Sequence, residues 1–106
     1  MNEFDNYLFE FGYDDRFSTE DRSISCDFTF MKLRDGLLRI GHILKEDFEN
    51  NVYVVSIQSG FFGSNNAIVI CKLCSGTLNM FAFAREGLIK QDTCRKALDK
   101  IEGLLK

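Results

Sequence analysis

The chain has 106 residues, with 13 Lys and Arg against 16 Asp and Glu, an isoelectric point near 5.1 and 45% apolar residues. That length suits one domain rather than two, and such a composition fills a core without disulfide or metal cross-links. No apolar run is long enough to span a membrane, the first ten residues carry acids where a secretory leader carries Lys or Arg, and four cysteines without a leader read as reduced thiols, so a soluble cytoplasmic protein is expected.

Residues 1–23 form an acidic, aromatic segment. The first 27 residues hold eight acids and two bases, a net charge of −6, whereas residues 28–106 hold eleven bases and eight acids, a net of +3. Phe4, Tyr7, Leu8 and Phe11 fit a short helix stopped by Gly12, while Tyr7, Phe9, Phe11 and Tyr13 fit a strand. The polar side shared by Asn2, Glu3, Asp5, Asn6 and Glu10 favours the helix. Residues 14–23 have no apolar period and read as a surface loop.

Residues 24–86 carry the sheet. Over residues 24–45, two β-rich runs flank Asp35-Gly36, which suits the paired positive φ angles of a type I′ turn. The implied hairpin pairs Leu33 with Leu38, Met31 with Ile40 and Phe28 with Ile43. It places His42 opposite Thr29 and near Asp27, and sets Lys32 beside Arg39 as a small basic spot. Val52–Ser59 alternates like a third strand. Residues 66–86 form a second hairpin about Ser75-Gly76, pairing Leu73 with Leu78, Cys71 with Met80, Val69 with Ala82 and Ala67 with Ala84. In residues 91–106, Asp92-Thr93 starts a helix whose Cys94, Ala97, Leu98, Ile101 and Leu105 share one face.

The expected class is α+β: a five-stranded antiparallel sheet of two hairpins plus one strand, packed by the C-terminal helix, with a short N-terminal element. One helix covers one face of a sheet that is apolar on both. The second face calls for the N-terminal segment, a curled sheet or a second copy, and a homodimer is the expectation.

Few residues invite chemistry. Cys71-Lys-Leu-Cys74-Ser-Gly76 has the spacing of half a zinc knuckle, but the hairpin register sends the two thiols to opposite faces and no second pair exists. Nor does the pair lie at a helix N-terminus, as a redox motif would. His42 is the one histidine and lacks an assigned nucleophile or orienting carboxylate. Nucleotide, hydrolase and metalloprotease fingerprints are absent. The acids of residues 13–22 lack the alternate spacing of a cation loop. No catalytic residue, metal ligand or cofactor is therefore assigned. Singly spread bases on an acidic chain also disfavour nucleic acid.

Two features point to a protein partner. Tyr13, Asp14, Asp15, Phe17, Glu20 and Asp21 combine acids that steer a basic surface with aromatic anchors. Phe61 and Phe62, between Gly60 and Gly63, are unusual in a connection that should be polar. In size, charge and architecture the chain resembles small acidic α+β proteins that bind one target, such as secretion chaperones, immunity proteins and phage-encoded inhibitors. A secretion chaperone would also place a helix between its third and fourth strands, where residues 60–66 leave no room. The expected function is a non-enzymatic interaction protein that binds or inhibits a partner. The alternative is a small-ligand domain with Phe61 and Phe62 as a lid over a pocket between sheet and helix.

Overall fold

Three consecutive strands follow the alternation of the sequence closely. In the computed structural model, which describes residues 4–59, 65–86 and 92–105, β3 (Val52–Ser59), β4 (Asn65–Cys74) and β5 (Thr77–Ala84) form an antiparallel meander. Between β4 and β5, Ser75 and Gly76 take φ of 49° and 81°, the pair of left-handed conformations a type I′ turn needs. This turn sets the expected register, with Leu73 opposite Leu78, Cys71 opposite Met80 and Val69 opposite Ala82. The sheet is completed by β1 (Ser18–Ser25) and β2 (His42–Asp47), in the order β1-β5-β4-β3-β2, every pair antiparallel. Around it lie α1 (Asp5–Glu10), α2 (Phe30–Ile40) and α3 (Thr93–Leu104), so the class is α+β as expected.

Residues 24–45 depart from the expected hairpin. Asp35-Gly36 lies inside α2 rather than in a turn. Phe30, Leu33, Leu37 and Ile40 recur at helical spacing, and Leu33 and Leu37 are completely buried against the sheet. Thr29 caps the helix, its side-chain oxygen accepting from the Lys32 amide at 3.1 Å. Burying the two leucines contributes roughly 1.5 to 3 kcal/mol each, more than the ~1 kcal/mol that an interior glycine costs a helix. His42 consequently faces Ser56 on β3, not Thr29. Lys32 and Arg39 lie on one helix rather than across a hairpin.

The second correction concerns residues 14–23, expected as a loop, of which Ser18 onward forms β1. Glu20 pairs with Ala82, Arg22 with Met80 and Ile24 with Leu78. Arg22 lies on the side of α3, where its guanidinium reaches Asp99 at 2.9 Å, Glu102 at 3.0 Å and Glu20 at 3.1 Å. The sheet thus begins before residue 24 and is interrupted by α2.

The core has two layers. On one face α2 and α3 cover Tyr53, Val55, Ile57, Val69, Cys71 and Met80. On the other, α1 and the loop after it cover Val52, Val54, Ile70 and Phe83. The face expected to need a second copy is therefore closed by the N-terminal segment of the same chain. No helix among the described residues is long and apolar enough to cross a membrane.

Gly41 joins α2 to β2 at the point of closest approach: a Cβ there would overlap the Ser56 carbonyl oxygen and press on Ile57 and Val55. Gly41→Ala should destabilise the domain by about 1 to 3 kcal/mol, the usual cost of overpacking, as measured by urea unfolding. An unchanged midpoint would mean that the α2–β2 connection relaxes freely.

Candidate functional site

The N-terminal layer is built from aromatic contacts. Phe4 and Leu8 are buried, while Tyr7, Phe11, Tyr13 and Phe17 lie half-buried around them. The Tyr13 ring meets Phe83 edge-on at 5.5 Å and Phe81 at 6.3 Å, and Phe17 stacks on Phe83 at 6.1 Å with the Arg85 guanidinium over its ring. Two polar clamps fasten the layer to β2. The Tyr7 hydroxyl donates to Asp47 at 2.7 Å, and the Lys45 ammonium pairs with Glu10 at 2.7 Å. Burial, together with the Asp47 carboxylate, pushes the Tyr7 hydroxyl up to about 12. Hydrogen bonds from Asn50 and Tyr7 hold Asp47 below its usual range.

This packing redistributes the residues expected at a partner interface. Tyr13 and Phe17 are committed to the sheet. Asp14 accepts from the Arg16 backbone amide at 2.8 Å and from its guanidinium at 2.9 and 3.0 Å, which holds its carboxyl far below the usual range. Asp15 is exposed in the turn before β1. Glu20 and Asp21 fall on opposite faces: Glu20 pairs with Ala82 on the helix side, and Asp21 with Phe81 on the N-terminal side. Phe61 and Phe62 lie outside the described residues. Phe9 was not expected at an interface, yet it is 90% exposed on the outer side of α1.

The helix–sheet layer is filled, with Ala97, Leu98 and Ile101 fully buried against β-strand side chains. Two cavities lie at its margins. One of about 260 Å³ lies between β1 and the start of α3, lined by Ser18, Glu20, Glu86, Asp92, Cys94 and Arg95. Here the Glu86 carboxylate accepts from the Thr93 amide at 2.8 Å and caps α3, while the Asp92 side chain makes no cap bond. A groove of about 470 Å³ runs past the end of α2, lined by Arg39, Gly41, His42, Ser56, Gln58 and Asn66 among others.

The thiols behave as separate groups. Cys71 is buried beneath the helices and Cys74 is exposed, so the two cannot close on one ion. Among the described residues no three potential ligands converge. Burial pushes the Cys71 thiol up to about 12, and burial with the nearby Glu86 and Glu20 does the same for Cys94. Comparison with known protein families, curated proteins and solved structures finds no match.

Two outcomes follow for the titratable groups. A thiol reagent at neutral pH should label Cys74 promptly and Cys71 and Cys94 only on unfolding; equal labelling rates in the folded protein would contradict the burial. Cys71, Cys94, Tyr7 and Tyr53 all hold their protons more tightly when folded, with values near 12 against 9.0 or 10.0. The folded state therefore binds more protons at alkaline pH. Stability from these groups is complete below about pH 9 and is lost as pH rises towards 12. Thermal melts across that range should show a falling midpoint, and a flat profile would refute the coupling.

Proposed function

We propose that the protein is a non-enzymatic interaction protein that docks a protein partner with a basic surface on the outer side of its N-terminal layer. The observation that carries this reading is Phe9: a large ring left almost wholly in water on a segment whose other aromatics are packed inward. An exposed ring on an acidic helix, here with Asp5 and Glu10, suits an anchor that is desolvated only when the partner arrives. Asp15 and Asp21 are among the exposed carboxylates of the same segment, and the net charge of −6 over the first 27 residues steers a cationic surface towards it. Docking or inhibition by such a surface needs no catalytic group, and none is assigned.

The test uses immobilised protein and native lysate. Proteins retained by the wild type, identified by mass spectrometry, should be lost to Phe9→Ser, while Asp15→Lys with Asp21→Lys should weaken retention strongly at low salt and less as salt rises. Both variants should melt as the wild type does, since exposed positions usually contribute within about 0.5 kcal/mol. Retention unaffected by either variant would reject this surface.

A further inference from the structure

We propose that the outer edge of β2 is the seam of a homodimer, in which a second copy of this chain continues the sheet by antiparallel pairing of His42–Asp47 with its own counterpart. The two edges of the sheet, β1 and β2, each present outward-facing backbone groups that another strand can pair. They differ in what surrounds them.

Phe9 apart, the exposed large apolar side chains among the described residues are Met31, Leu38, Leu44 and Phe48, each 45% to 58% exposed. All four border β2. Leu44 lies at the bulge within the strand, and Phe48 follows it and packs on Phe30. Met31 and Leu38 share one side of α2 with Arg34, which is fixed over β2 by its ion pair with Glu46. The charges of this edge already have partners within the chain: Lys45 pairs with Glu10, Glu46 with Arg34, and Asp47 accepts from Tyr7. At the other edge, β1 carries the exposed Asp21 and follows the exposed Asp15, and two copies meeting there would oppose like charge.

The register is set by the faces. Opposite Ser56 and Val52, His42 and Asp47 lie on the N-terminal side of the sheet; opposite Val55 and Tyr53, Ile43 and Glu46 lie on the helix side. A two-fold axis perpendicular to the sheet keeps the faces continuous along the whole strand when His42 opposes Asp47 of the partner, Ile43 opposes Glu46 and Leu44 opposes Lys45. That register places an imidazole beside a carboxylate and no like charges together. A slip of one residue would set Lys45 against Lys45 and mix the faces.

This seam lies at the edge remote from β1 and from Asp15 and Asp21, whereas α1, which carries Phe9, is clamped to β2 itself. Sedimentation of the full chain should show a dimer at micromolar concentration, and hydrogen exchange of the unaltered protein should show β2 amides gaining protection as concentration rises while β1 amides do not. Leu38→Glu with Leu44→Glu should raise the dissociation constant about a hundredfold or more with an unchanged circular dichroism spectrum. Asp15→Lys with Asp21→Lys should dimerise as the wild type does. A monomer at every concentration, or a dimer whose protection is gained at β1 or α1 instead, would overturn the proposal; because the exchange experiment needs no substitution, it decides even if the double variant fails to fold.

Discussion

The structure depends on a sheet whose middle strands are buried on both faces. Val52, Val54 and Ile70 face one side and Tyr53, Val55, Val69 and Cys71 the other, all at most 1% exposed. Strands of this kind need a cover on each face, as parallel strands in α/β proteins do. Two helices supply one cover. The other is a six-residue helix and the aromatic loop after it, a piece far too short to be helical alone. The acidic N-terminal segment is thus half of the hydrophobic core's enclosure rather than an appendage. Its polar clamps to β2, through Tyr7 and Lys45, fix it across the sheet from the strand it leads into.

The sequence was most legible where local and tertiary preferences agreed. In β3, β4, β5 and α3, period, turn chemistry and burial all point the same way, and the strand bounds, the Ser75-Gly76 register and the buried face of α3 match expectation. In α2 they conflicted. Asp35-Gly36 is a strong hairpin signal, and it outweighed the quieter Phe30, Leu33, Leu37 and Ile40 spacing with Thr29 as its cap. The glycine has a tertiary reason instead: a Cβ there would come within 3.2 Å of Leu104, so α2 and α3 approach closely. The first strand was illegible for a different cause. Its inward face reads Ser18, Glu20, Arg22 and Ile24, mostly polar, because it lies at an edge where Asp99 and Glu102 of α3 can match a charge. A partner some 77 residues away leaves no local trace. The count of five strands held only because β1 took the place of the first strand of the expected hairpin.

The candidate site shows the same division. Acids beside Tyr13 and Phe17 suggested an anchored docking surface, but a ring cannot be both the lid of an apolar face and a free anchor. The sheet claims these two through Phe81 and Phe83. The helical reading of α1 already contained the correction. If Phe4, Tyr7, Leu8 and Phe11 face inward, Phe9 falls on the polar side with Asp5 and Asn6, a position that packing alone gives a Phe no reason to occupy. An apolar residue out of phase with its helix was the sequence signal, and composition masked it because Phe is common throughout this chain.

Charge segregation and edge asymmetry can be read as one arrangement. Part of the negative charge of the first 27 residues lies around β1, with Asp21 exposed on that strand and Asp15 in the turn before it. A strand edge so charged repels its own copies and aggregates poorly. At the opposite edge Lys45 and Glu46 of β2 are ion-paired within the chain, Asp47 accepts from the Tyr7 hydroxyl, and apolar side chains flank the strand. The same sheet therefore offers a repelling edge and an associating one. If self-association is confined to β2, it leaves β1 with Asp15 and Asp21 at the outer ends of the dimer, while α1, clamped to β2 through Tyr7 and Glu10, lies on the side of the seam.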